Sequence, residues 1–205
     1  MLIGSFNPKI FQPYWFSAHE LIPESEAEAA DVEIVHPEVV SFSTDWLQLQ
    51  VTTDRFMALT LQEPYAGMRD LVLSTFELLS HTPVQLMGLN RDVHYEMSSE
   101  EEWHSLGYRL VPRDNWENLL PRHVGMRSLT VEGVRPDNYL GYIRVKVEPS
   151  VKTQPGVYIQ VNDHFQARDW KESEGCDQVM AILRETWEAS SQRADALISG
   201  VLELK

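Results

Sequence analysis

The stretch WLQLQVTTDRFMALTLQEPYAGMRDLVLSTFELLS, residues 46–80, decides the fold. From Trp46 the chain alternates, with Leu47, Leu49 and Val51 on one face and Gln48 and Gln50 on the other, the period of a half-buried strand. Thr53-Asp54 supplies turn chemistry. Arg55 to Gln62 then alternates again, Phe56, Ala58 and Thr60 against Met57, Leu59 and Leu61, so the two runs predict a β-hairpin. After Pro64 the period changes. Met68, Leu71, Val72, Phe76 and Leu79 recur at spacings of three and four, which predicts a helix over 66–80 with one buried stripe.

A similar order returns in the second half of the chain. MRSLTVEGV from residue 126, YLGYIRVKV from 139 and GVYIQVNDHF from 156 are rich in β-branched and aromatic residues and are separated by turns containing Pro or Gly, as in an antiparallel meander. Residues 175–203 carry Val179, Ile182, Leu183, Trp187, Ala194, Leu197, Ile198, Val201 and Leu202 on one stripe of a long amphipathic helix. At 1.5 Å per residue it would reach roughly 40 Å, more than a small sheet usually covers. Part of the stripe is therefore expected to meet a second chain, with Trp187, Leu197, Ile198 and Val201 as interface candidates in a homodimer.

The remaining segments fill in the frame. Residues 1–22 are aromatic, and Pro8 and Pro13 favour an extended arm across the sheet over a helix. ESEAEAAD, 24–31, reads as an exposed short helix or linker, and VEIVHPEVVSF, 32–42, as an edge strand or two strands bent at Pro37. VQLMGLNRDVHYEM, 84–97, is strand-like, with Leu86, Val93 and Tyr95 inward and a bulge at Gly88. Ser98 or Ser99 before Glu101 and Glu102 caps a short helix over 99–107. Residues 108–125, with Pro112 and Pro121, have no sustained period. The expected fold is α+β: antiparallel sheet with helices on one face, in two unequal interlocked halves, 32–107 and 126–205, joined by 108–125 within one domain.

Composition narrows the class. Thirty-one acidic residues against 17 basic give a formal charge of −14, which repels phosphate backbones, so nucleic acid is not an expected partner. A basic protein partner would suit that balance, but so would acidity that serves solubility alone, and the charge by itself names no partner. One cysteine, Cys176, cannot form an intramolecular disulfide, and the expected home is a reducing cytoplasm. The first residues lack a basic leader and a small-residue cleavage site, and no run of 18 apolar residues occurs, so neither a signal peptide nor a membrane partner is expected.

Catalytic motifs are missing from the chain: it has no GxGxxG, GxxxxGK[ST] or GxSxG, and its seven histidines show no HxxxH, HExxH or HxH spacing, so no metal and no cofactor is implied. Cys176 stands in a Gly-Cys-Asp context where the following acid opposes a thiolate, and no catalytic residue is assigned. Candidate ligand-binding residues are His94 and His164, each beside an acid, Asp92 or Asp163, together with Arg91, Arg144 and Lys146. Arg144 and Lys146 share a strand face that could hold an anion. The tryptophans at 15, 46, 103, 116, 170 and 187 serve either core packing or protein recognition.

SFSTDWLQLQVTTDRFMALTLQEPYAGMRDLV, QLMGLNRDVHYEM, GVYIQVNDHF and the terminal helix together resemble a sporadically distributed family of uncharacterised bacterial proteins over residues 40–204. Where that family has an Arg-Tyr-Asn-like strand, this chain reads Leu89-Asn90-Arg91-Asp92. The resemblance implies an α+β fold and no activity. The order of strands before a long helix also resembles SecB-like export chaperones, which build oligomers with apolar client grooves. The expected function is a non-enzymatic protein-binding or assembly protein of a bacterium or phage. The alternative is a small-molecule-binding or hydrolytic enzyme using His94, His164, Asp163 and Arg144.

Overall fold

The computed structural model describes residues 1–120, 124–171 and 174–204, so Pro121 and His123 lie outside the described residues. The chain is α+β. Its strands are β1 (Leu2–Gly4), β2 (Asp31–His36), β3 (Val39–Ser43), β4 (Gln48–Thr52), β5 (Arg55–Leu59), β6 (Val84–Glu96), β7 (Leu129–Val134), β8 (Leu140–Pro149) and β9 (Gly156–Gln166). They form one sheet in the order β2-β3-β4-β5-β1-β6-β9-β8-β7. The helices are α1 (Pro13–Ala18), α2 (Glu24–Ala29), α3 (Ala66–Leu78), α4 (Glu100–Leu110) and α5 (Asp177–Leu202). By contact the chain divides into two compact units, Met1–Gly88 with Phe165–Trp187 and Leu89–His164 with Glu188–Lys205.

In the first unit the register sets the core. Val40 pairs with Val51 and Phe42 with Leu49; Val51 in turn faces Phe56, Phe56 faces Leu2, and Leu2 faces Met87. Cross-strand partners share a face, so these buried residues make one continuous apolar wall. Phenylalanines from α1, α3 and the loop before α1 close over it. Phe56 meets Phe76 at 5.1 Å and Phe11 at 5.4 Å between ring centroids, both edge to face, and Phe16 meets Phe42 at 5.8 Å. The buried residues of α5 up to Val179, Met180, Ile182 and Leu183 belong to this unit. Gly175, just before that helix, has φ +65°, and a Cβ there would lie 2.1 Å from the Ser80 carbonyl oxygen.

The amino-terminal segment departs from its expected extended course. Leu2–Gly4 forms a strand inside the sheet between β5 and β6, and Pro13 starts α1. Proline is tolerated in the first helical turn because its missing N–H would have no partner there. Ile3 and Gly4 of β1 pair with Leu86 and Val84 of β6, which leaves Gln85 as an extra residue on β6, and a Cβ on Gly4 would lie 2.1 Å from the Pro83 carbonyl oxygen.

In the second unit, odd-numbered residues of β6, β8 and β9 face α4 and α5. Val147, Val157, Ile159, Val161, Leu106, Ala194, Ile198 and Met97 form the cluster, and Val93, Ile143 and Val145 pack against it. Tyr95 is exposed, contrary to its expected inward position, and Met97, two residues on, takes the buried place. Ser99 caps α4 by accepting the Glu102 backbone N–H at 3.1 Å, and the helix runs past Gly107 to Leu110. Within α5 the row Ile182, Thr186, Ser190, Ala194 and Ile198 is buried at every fourth position.

Truncating Phe56 to Ala removes the ring that Phe6, Phe11 and Phe76 all touch. The expected loss in urea denaturation is about 3–5 kcal/mol. Ile34→Ala, on exposed β2, is expected to change stability by no more than about 0.5 kcal/mol.

Candidate functional site

Strand alternation divides the sequence-derived candidates between two sheet faces of the second unit. His94, Arg144, Lys146 and His164 occupy even positions on the face away from the helices. Arg91 and Asp163 occupy odd positions on the face under α5, where Arg91 Nε lies 3.5 Å from Asp195. Asp163 and His164, adjacent in sequence, therefore point to opposite sides.

The two histidines also lie apart along the strand. The His94 Nδ1 and the Ser150 hydroxyl are hydrogen bonded at 2.8 Å, and the His94 ring lies 4.8 Å from Tyr158. His164 stacks on Tyr142 at 4.4 Å and 16°. Tyr158 and His164 are six residues apart on β9, or about 20 Å at the rise of an extended strand. Burial, followed by the Asp92 charge, pushes the Tyr158 hydroxyl up to about 12. Arg144 hydrogen-bonds Glu132 at 2.8 Å and lies 4.7 Å over Tyr142, while Lys146 pairs with Glu148 at 2.9 Å. Each expected cation is matched within the sheet face. Burial and the Arg144 and Arg135 guanidiniums hold His164 below the usual imidazole range.

Asp163 is the centre of a different cluster. Its carboxylate accepts Arg135 Nη1, the Ser190 hydroxyl at 2.7 Å and Arg193 Nη1 at 2.5 Å. Arg135 also donates to Asp137 through Nε at 2.9 Å and Nη2 at 2.6 Å, and to the His164 carbonyl at 3.2 Å. The Arg135 hydrogen bond is the main cause that holds the Asp137 carboxyl below the ordinary range. Two guanidiniums and two carboxylates cancel in charge, and the Arg135 and Asp163 side chains are buried. The cluster ties β9, the β7–β8 turn and α5 together; with its donors spent, it is a structural knot. Asp163 lies inside β9, which continues to Gln166.

Sequence reading missed Arg135, Asp137, Ser190 and Arg193. The available signal was polar: Asp163 falls on the inward row after Val157, Ile159 and Val161, and Ser190 falls on the buried four-residue row of α5. Both rows needed a partner inside.

The interface candidates are largely spent within the chain. Ile198 is 8% exposed in the second unit's core, Leu197 and Val201 pack against it, and Trp187 is half-buried. Cys176 is buried, its thiol directed at the Phe76 and Ser80 carbonyls at 3.4 Å, and burial followed by the Asp177 charge pushes it up to about 11. It is a poor nucleophile. Among the described residues no cluster of three or more His, Cys, Asp or Glu is placed to hold a metal ion, and no helix is long and apolar enough to cross a membrane.

Two surface features remain. The first is β2, which with β7 is one of the sheet's two terminal strands and whose six residues are all exposed. The second is a cleft of about 410 Å³ in the second unit, walled by Trp103, Leu106, Met126 and Val157 and edged by His104 and Arg113. No protein-family model, curated protein or solved structure matches the chain, so geometry alone carries the functional argument.

Replacing Asp163 by Ala removes the buried carboxylate that Arg135, Ser190 and Arg193 share and is expected to cost about 3–5 kcal/mol in urea denaturation, against about 1 kcal/mol for Ser190→Ala. A second expectation concerns pH. Because folding lowers the proton affinity of His164, the unfolded chain binds more protons on acidification, and stability falls as pH drops through the ordinary imidazole range. Between pH 7 and 5 the loss should be smaller in His164→Gln, measured as denaturation midpoint against pH.

Proposed function

We propose that the protein is a non-enzymatic binding protein that captures an extended basic segment of a partner by adding it as a strand to β2. The observation that carries this reading is the state of that edge. β2 pairs with β3 on one side, and along the other it presents Val32, Ile34 and Val35 at 45%, 43% and 60% exposure. A terminal strand offers a row of backbone donors and acceptors on its outer side, and natural proteins cover such edges or blunt them with charges, Pro or bulges; β2 has a bulge at Glu33 and acids, and the acids oppose an acidic strand while favouring a basic one. Strand addition uses that row for affinity and the flanking side chains for selection.

The charge around the edge supports a basic partner. Residues 24–38, ESEAEAADVEIVHPE, hold acids at 24, 26, 28, 31, 33 and 38 and no Lys or Arg. Glu33 is held in place by the Ser41 hydroxyl at 2.9 Å, and the register shift between Val32 and Ile34 marks its position on the strand. A second copy of the chain would bring the same acids against these, which like-charge repulsion opposes. An extended segment alternating Lys or Arg with aliphatic residues meets both the charge and the apolar side chains.

Fluorescence anisotropy with labelled peptides tests the reading. A Lys-Val alternating heptapeptide is expected to bind in a salt-sensitive manner, and its Glu-Val counterpart to fail. Ile34→Lys and Val35→Lys are expected to weaken binding at least about tenfold, about 1.4 kcal/mol. Equal binding of a proline-interrupted peptide, which cannot extend a ladder, would sink the strand-addition reading.

A further inference from the structure

We propose that the cleft beside α4 is a binding site for small organic carboxylates with an aromatic or aliphatic body. Its volume, about 410 Å³, falls in the range of ligand sites, and its walls are mainly apolar, with a few polar groups at the edge. The chemistry of those groups selects the ligand. Arg113 Nη2 lies 3.3 Å from His104 Nδ1, and a guanidinium nitrogen can only donate, so Nδ1 accepts and the neutral ring carries its proton on Nε2. The pair therefore offers N–H groups and no acceptor to an incoming molecule.

The one lining carboxylate, Glu148, is already matched. Lys146 Nζ stands 2.9 Å from it and holds it below the ordinary carboxylate range. Among the described residues the side-chain partner of Arg113 is His104, and no carboxylate is paired with its planar fork, which matches a carboxylate in a two-point arrangement. The Trp103 ring, 4.9 Å from the His104 ring, places an aromatic surface next to those donors. A ligand with its acid on Arg113 and His104 and its body against Trp103, Leu106 and Met126 uses both halves of the cleft. This site belongs to the second unit and is independent of the β2 edge, which belongs to the first.

The test uses the full chain and isothermal titration with phenylacetate, indole-3-acetate and octanoate, each compared with its amide and its amine. The expected result is saturable binding of at least one acid, at least tenfold weaker binding of the matching amide, and none of the amine. Arg113→Met should abolish the preference for acid over amide, Arg113→Lys should keep part of it, and Arg109→Met, on the exposed side of α4, should leave it unchanged. Equal affinity for acid and amide, preference for the amine, an unaltered acid affinity in Arg113→Met, or no binding of any acid would each overturn the proposal.

Discussion

A carboxylate withdrawn from water must be compensated on the spot, and Asp163 is the clearest case in this chain. Taking an ion into the interior costs several kcal/mol, which its attraction to a counter-ion offsets only when hydrogen bonds satisfy the remaining lone pairs. Three donors from two separate stretches meet at Asp163: Arg135 from the β7–β8 turn, and Ser190 and Arg193 from α5. The turn is fixed again from its other side, because Arg135 forks onto Asp137, which also accepts the Tyr139 N–H at 3.2 Å. With α5 held over β9, the odd row of that strand and the four-residue row of the helix can close on each other. The second unit's open sheet face and its cleft both take their positions from that closure.

The constraint also explains why the long helix has little apolar surface left over. Its length suggested a stripe shared with another chain. Within the chain, its residues to Trp187 belong to one unit and those from Glu188 to another, and the polar residues Thr186 and Ser190 are buried between the two apolar stretches. Ser190 is there for Asp163, and Thr186 satisfies itself by donating to the Ile182 carbonyl at 2.7 Å. Recognition is better sought at an exposed acidic edge strand and at the apolar cleft that Arg113 lines.

Much of the architecture was legible in the sequence because both repeats have clean periods. Alternation from Leu47 to Val51 and the spacing of Met68, Leu71, Val72 and Phe76 identify their elements without tertiary information, and Pro37 marks the bend between β2 and β3. β1 escaped because three residues carry no period; Leu2–Gly4 is a strand only because β5 and β6 flank it. α1 escaped because Pro13 reads as a breaker until its position in the first turn is known. The site candidates fared differently. Histidines and acids were paired by adjacency in sequence, whereas a strand sends adjacent residues to opposite faces, so Asp163 and His164 could not share a site. Arg135 lies in an Arg-Pro-Asp turn 28 residues before Asp163, and only the fold brings the two together.

Backbone amide NMR of the full chain titrated with a Lys-Val alternating peptide shows whether β2 is the recognition element. If it is, shift changes concentrate in Asp31–His36, with slowed hydrogen exchange for the outward amides of that strand. Changes concentrated in the carboxy-terminal half of α5 or in the cleft around Trp103, with β2 unmoved, would contradict it.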